Sequence, residues 1–76
     1  MTVFEQIRDI IVSELNVKPE KVTLEANLKD DLGADSIDAV QIIMDIEDTF
    51  GVTIDEDDAQ DMLTVKNVVE YIESKK

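Results

Sequence analysis

Apolar residues first recur at helical spacing near the start of the chain. Four of them fall on one stripe: Phe4, Ile7, Ile11 and Leu15. Thr2 and Glu5, three residues apart, have the spacing of a capping box, in which side chains and backbone cap each other. Asn16 leaves the pattern, and Pro19 cannot continue a helix. The pattern therefore predicts a first helix over residues 3–15.

A second helix is predicted to open at Ser36, with Asp35 as its N-cap, and to stop before Gly51. Its polar positions are spaced three, four and three residues apart, which places them on one face: Asp38, Gln41, Asp45 and Asp48. The opposite, inward-facing positions are apolar: Ile42, Ile43, Ile46 and Phe50. A border between the two faces holds Ile37, Val40, Met44 and Glu47. The apolar arc is wider than core packing requires, so we expect part of it to meet a partner.

Two more helices are predicted in the last third of the chain. The acidic segment 55–62 has the length of one or two helical turns, with Ala59 and Met62 turned inward. Thr64 is placed to cap a last helix, whose apolar stripe follows the i, i+3, i+4, i+7 spacing: Val65, Val68, Val69 and Ile72.

Residues 16–34, between the first two helices, show no sustained period. Apolar side chains nevertheless recur along this segment, so we expect it to lie on the core: Val17, Val22, Leu24, Leu28 and Leu32. A loop this long in a small domain is uncommon and is often functional. The sequence thus predicts a single all-α domain over residues 1–76. It is a small four-helix bundle of three main helices and one short helix, with a long first loop.

The charge of the chain is concentrated in one segment. Nineteen acidic residues against seven basic ones give a net charge of −12, and twelve of the acidic residues lie between Asp30 and Asp61 with no basic residue among them. Such a field repels nucleic acid and anionic lipid, and attracts basic protein surfaces or divalent cations. The alternative is a solvated face that serves solubility. We expect a binding surface, with loose divalent binding to neighbouring carboxylates such as Asp30, Asp31 and Asp35.

The residue inventory makes an enzyme the weakest interpretation. The chain has no cysteine and no histidine, which removes thiol catalysis, the commonest general base and the commonest metal ligand. Ser36 follows a glycine-containing loop but lacks the G-x-S-x-G elbow, and its nearest base, Lys29, would need a buried site. An EF-hand starting at Asp55 would place Gln60 and Lys66 where glycine and glutamate are needed, so we expect no metal site. Ser36 is then either a substrate for modification or an ordinary first-turn residue.

One segment carries a family resemblance. Leu32-Gly33-Ala34-Asp35-Ser36-Ile37-Asp38 resembles the motif of acyl carrier proteins, in which Asp-Ser-Leu opens the second helix. The resemblance extends over essentially the whole chain through further positions: Val40, Met44, Glu47, Phe50, Ile54, Ala59, Tyr71 and Ile72. The chain departs from the family pattern at Ile37, where leucine is usual, and at three other positions: Gln41, Asp45 and Asp55.

The resemblance implies that Ser36 carries 4′-phosphopantetheine, installed from coenzyme A by a holo-carrier-protein synthase, which is a phosphopantetheinyl transferase. The thiol of this arm would hold growing fatty acyl chains as thioesters, so the chain would be a carrier and not an enzyme. Its implied partners are that synthase, ketoacyl synthases, reductases, dehydratases and acyltransferases, which would dock through basic patches. The implied docking residues are Asp35, Ile37, Asp38, Gln41, Met44, Glu47 and Asp48. We expect a cytoplasmic monomer that neither binds nucleic acid nor inserts into membranes.

Other cargoes and one other class of protein stay open at this point. The carrier could hold polyketide, aminoacyl or D-alanyl units, and an acidic interaction or cation-buffering module would need no prosthetic group. For an acyl cargo, we expect a pocket between the second and third helices, lined by Ile43, Ile46, Ile54, Ala59 and Met62. A bundle this small is expected to have no spare cavity, so the chain would have to part the helices.

Overall fold

The computed structural model describes residues 1–75, and this range contains four α-helices. Helix α1 spans Val3–Leu15, α2 spans Ser36–Phe50, α3 spans Glu56–Gln60 and α4 spans Val65–Lys75. The predicted four-helix, all-α architecture is confirmed, and no β-strand forms over the described range. The short α3 falls within the segment predicted to make one or two helical turns.

The helix ends are fixed by caps that can be read from the sequence. Thr2 Oγ1 accepts the Glu5 N–H at 3.1 Å, and Glu5 Oε1 accepts the Thr2 N–H at 2.9 Å. Helix α2 stops at Gly51, whose φ of 67° lies in the left-handed region that glycine adopts without strain. Thr64 Oγ1 accepts the Asn67 N–H at 3.2 Å at the start of α4. Side chains thus satisfy backbone groups that have no partner inside the helix.

The core is built by α1, α2 and α4, and α3 contributes little to it. Helix α1 packs against both α2 and α4. The largest side chains with almost no exposed surface come from these three helices: Ile7, Ile11, Ile42, Ile46, Val65, Val68 and Ile72. No residue of α3 is fully buried. Because few buried contacts hold α3, we expect its local opening to cost less free energy than that of the other helices.

The long first loop lies on the core, as its apolar residues predict, apart from one of them. Val22, Leu28 and Leu32 are buried, and the Leu28 N–H donates to the Leu63 carbonyl at 2.9 Å. Leu24 is exposed, which corrects the expectation that it packs inward. Leu24 lies at the corner of a turn that is closed by a hydrogen bond from the Ala26 N–H to the Thr23 carbonyl. The side chain at this corner faces outward.

Candidate functional site

Ser36 is the first residue of α2, and its side chain is exposed. Asp35, the N-cap, accepts the Asp38 N–H on Oδ1 at 2.8 Å, and Asp38 Oδ2 accepts the Asp35 N–H at 3.3 Å. This capping box fixes the first turn around the serine. The hydroxyl therefore stands at the positive end of the helix dipole, where an attached anion is stabilised.

A tight turn over residues 27–34 leads into this helix start. Asn27 Oδ1 accepts the N–H groups of Lys29 at 3.0 Å and Asp30 at 2.9 Å. The Gly33 N–H then donates to the Lys29 carbonyl at 3.1 Å. Gly33 has a φ of +76°, a conformation that side chains disfavour, so glycine closes this turn without strain. The serine is consequently presented by a hydrogen-bonded frame.

An apolar cavity of about 260 Å³ opens beside Ser36, between α2 and α3. Ser36 itself lines it, and so do four of the five residues expected there: Ile43, Ile46, Ala59 and Met62. A cavity of roughly 150 Å³ in another protein accommodates benzene, so this one has room for a longer hydrocarbon. It is already formed, which corrects the expectation that the bundle has no spare cavity.

Ile54, the fifth residue expected in this pocket, does not line the cavity. Its side chain is buried in the core, and its N–H donates to Glu47 Oε2 at 2.7 Å. That hydrogen bond ties the segment before α3 to the last turns of α2, whereas the cavity lies toward the first turns, where Ser36 stands. Ile54 is therefore a core residue that lies outside the lining of this cavity.

Several residues that line the cavity were missed by sequence reasoning. Leu28 and Leu63 are 35 positions apart in the chain but meet at this wall through the Leu28 N–H and the Leu63 carbonyl. Lys29 comes from the same loop, and Val68 comes from α4. No local periodicity signals such a meeting, because it depends on how the loop folds over the bundle.

The outward side of α2 exposes an apolar edge beside acidic residues. Ile37 is 79% exposed, Val40 is 58% exposed and Met44 is 51% exposed. Gln41 and Asp48 are also exposed on this helix. Val40 was not among the docking residues expected from sequence, although it belongs to the predicted border of the polar face. This edge leaves apolar surface free for a partner.

Two residues expected in docking are engaged within the chain. Asp38 is half-buried in the capping box, and Glu47 is half-buried with one carboxylate oxygen bonded to the Ile54 N–H. Both carboxylates keep their charge near the α2 surface, but substituting either would also disturb the fold.

The polar row of α2 faces α1 more than the sequence indicates. Asp45 is half-buried, and its Oδ1 accepts the Gln41 Nε2–H at 3.1 Å. The pKa of Glu14 on α1 is raised above its usual range, chiefly by burial and then by the negative charge of Asp45 and a hydrogen bond to it, with a smaller effect of Asp38. Acidic side chains thus oppose each other across the contact between α1 and α2.

The site presents the exposed Ser36 hydroxyl beside an apolar cavity, and its other residues do not favour catalysis. The sequence has no histidine, and Lys29 is exposed, whereas a lysine acts as a base when burial removes its charge. Within residues 1–75 no three acidic side chains lie close enough together to hold a metal ion. Bridging by pairs such as Asp30 and Asp31 stays a prediction. These features describe a small helical domain that presents an exposed serine beside an apolar cavity.

Comparison with known proteins identifies the family to which the chain belongs. Residues 5–72 match the family model described as "Phosphopantetheine attachment site". The chain therefore belongs to the phosphopantetheine-attachment family, whose members are non-catalytic carriers with a covalent 4′-phosphopantetheine. The arrangement at Ser36 fits such a group, because the hydroxyl is exposed, a helix N-terminus faces it and an apolar cavity opens beside it.

Two relatives extend this comparison. The chain is 42% identical over 74 residues to an acyl carrier protein from Campylobacter hominis, which covers 97% of this chain and 94% of the relative. It also resembles a solved structure of an acyl carrier protein from Enterococcus faecalis, with a TM-score of 0.84, 37% identity and full coverage of both chains. None of the helices described over residues 1–75 is long and apolar enough to cross a membrane.

Proposed function

We propose that this chain is an acyl carrier for fatty acid synthesis and that Ser36 is the residue that carries its 4′-phosphopantetheine. The observation that carries this proposal is the shared rim: the exposed Ser36 side chain lines the mouth of an apolar cavity. The terminal thiol of the arm supplies the thioester chemistry when it is attached. The protein's own residues hold the attachment point and shelter the chain.

The lining of the cavity favours an alkyl cargo over a polar one. Its walls are made mainly of aliphatic side chains from α2, the first loop and the segment after α3, such as Ile43, Ile46 and Met62. Each buried CH₂ of a bound chain gains about 0.8 kcal/mol, less the cost of any opening. An aminoacyl or D-alanyl unit is short and charged, so it gains little from these walls.

Partner enzymes would dock on the outward side of α2. Ile37 and Met44 supply exposed apolar contact, while Asp35, Gln41 and Asp48 supply exposed polar groups around them. The charges of Asp38 and Glu47 add to the same negative surface. A carrier visits several enzymes, so it gains from electrostatic steering and fast release rather than from a large apolar interface. Basic patches on the partners are the complement that this surface requires.

Intact-mass measurement of the protein purified from its native cells, followed by fragmentation, tests this proposal. The expected result is a phosphopantetheine on Ser36, a fraction of which bears a saturated or partly reduced acyl chain. A polyketide, aminoacyl or D-alanyl remainder would replace the fatty acid assignment with one of those pathways. If the protein stays unmodified both in cells and after incubation with coenzyme A and a transferase, the chain is instead an acidic interaction module without a prosthetic group.

A further inference from the structure

Lys29 is the one cation among the described residues that line the cavity. It shares that rim with Ser36, at the edge of a segment in which Asp30 to Asp61 contains twelve acidic residues and no basic one. The side chain of Lys29 is exposed, and no described salt bridge engages it. Its ammonium group is therefore free to meet an anion at the mouth of the cavity.

The backbone at Lys29 is held firmly with respect to Ser36. Its N–H donates to Asn27 Oδ1, and its carbonyl accepts the Gly33 N–H at 3.1 Å. The Ala34 N–H donates to the Leu28 carbonyl at 2.9 Å, just before the capping box of α2 begins. These bonds bring the lysine stem and the serine to one rim although seven positions separate them. Lys29 takes part in these bonds only through its backbone N–H and carbonyl, so its side chain is not needed to form the turn.

Without Lys29, the negative charge of an anion attached to Ser36 would be poorly balanced by nearby positive charge. The carboxylates of Asp35 and Asp38 flank the serine in the capping box, and both repel a phosphodiester. The helix N-terminus offsets part of that repulsion. Lys29 supplies a full positive charge on the side of the serine that faces the cavity.

We propose that Lys29 is a positioning residue that pairs with the phosphodiester of the prosthetic arm and holds the arm over the cavity mouth. This rests on the proposed attachment at Ser36. The ammonium group contacts the phosphate oxygens and directs the rest of the arm toward the apolar walls. The contact is exposed, so Lys29 changes the population of this arrangement by roughly 1.4- to 5-fold, the range of a surface ion pair.

The test uses protein loaded from coenzyme A by a phosphopantetheinyl transferase, with loading recorded by intact mass before any other measurement. The ³¹P resonance and the nuclear Overhauser contacts between the arm and Lys29 or Ile43 are then compared in wild type, Lys29→Gln, Lys29→Arg and Lys66→Gln. Lys66→Gln removes the same charge from an exposed residue that does not line the cavity.

The expected result is a Lys29 contact in wild type and a shifted ³¹P resonance with roughly 1.4- to 5-fold weaker arm–Ile43 contacts in Lys29→Gln. Lys29→Arg and Lys66→Gln should resemble wild type, and about 1 M salt should move the wild-type resonance toward that of Lys29→Gln. Melting of the unloaded variants should be unchanged. Identical ³¹P resonances and arm contacts in all four loaded proteins would overturn the role of Lys29 and leave the carrier function intact. Failure to load, seen by mass, would overturn both.

Discussion

Tyr71 on α4 donates its phenol hydrogen to Asp58 Oδ2 on α3 at 3.0 Å. Both residues are half-buried, and α3 contributes no fully buried side chain of its own. The pKa of Tyr71 is raised, first by burial and then by its hydrogen bond to Asp58 and the charge of that carboxylate. This bond therefore fastens the short helix that forms one wall of the cavity.

Tyr71→Phe should loosen α3 while leaving the rest of the bundle in place. Losing one such hydrogen bond costs about 1 kcal/mol, which lowers the melting temperature of a domain this size by roughly 4–8 °C. Amide exchange should accelerate most at residues 58–62. Ser74→Ala is the matched control, since it removes a hydroxyl bond to the Tyr71 carbonyl within α4. Equal acceleration of α3 exchange in both variants would argue against the role of the Tyr71–Asp58 bond.

The contribution of Glu14 to the stability of the bundle should rise as the pH falls through its raised folded pKa toward 4.5. In the folded state the pKa of Glu14 is raised above its usual value of 4.5, first by burial and then by the negative charge of Asp45. The stabilisation from this group is fully present below pH 4.5 and is lost as the pH rises through its raised folded pKa. Thermal melts of Glu14→Gln should show a weaker pH dependence and a higher melting temperature at pH 7.

Glu73→Gln, at an exposed position on α4, controls for the general loss of negative charge. It should keep most of the wild-type pH dependence. A pH profile that is equally flattened in the two variants would mean that net charge, and not the contact between α1 and α2, sets the response.

Charge reversal on α2 should slow the capture of this carrier by its synthase. Asp48→Lys should lower the association rate several-fold at low salt, and the loss should shrink as salt screens the steering. Met44→Ala should weaken binding with little salt dependence, because it removes apolar contact. Stopped-flow association with Glu73→Lys as the control checks this. If reversal on α4 slows capture as much as reversal on α2, the acidic face serves solubility and not docking.

Longer acyl chains should stabilise the loaded protein until the cavity is full. Each added CH₂ contributes at most about 0.8 kcal/mol when buried, so the melting temperature should climb with chain length and then level off. Ala59→Leu narrows the cavity and should move the plateau to shorter chains, since Ala59 lines its α3 wall. A melting temperature independent of chain length in both proteins would place the chain in solvent.

The helices could be predicted because their signals are local. The capping pair of Thr2 and Glu5, the N-cap Asp35 and the stop at Gly51 each act within one turn of chain, and each is found where the sequence puts it. Ser36 likewise stands out through its motif and its place at a helix start.

The cavity could be predicted only in part, because its shape depends on contacts between distant segments. Leu28 lines the cavity, where its N–H donates to the Leu63 carbonyl, whereas Ile54 is buried in the core and its N–H donates to Glu47 Oε2. Neither partner can be identified from helical periodicity. The same holds for Asp45, whose position on the polar face gives no sign that Glu14 lies opposite.

The attachment of a prosthetic group to Ser36 is the central claim, and intact mass after incubation with coenzyme A and a phosphopantetheinyl transferase tests it most directly. Wild type and Ser13→Ala, a control at another exposed serine, should each gain one phosphopantetheine. Ser36→Ala should gain none and should stay folded, because alanine is well tolerated in the first turn of a helix. Full loading of Ser36→Ala, or no loading of wild type, would contradict the account.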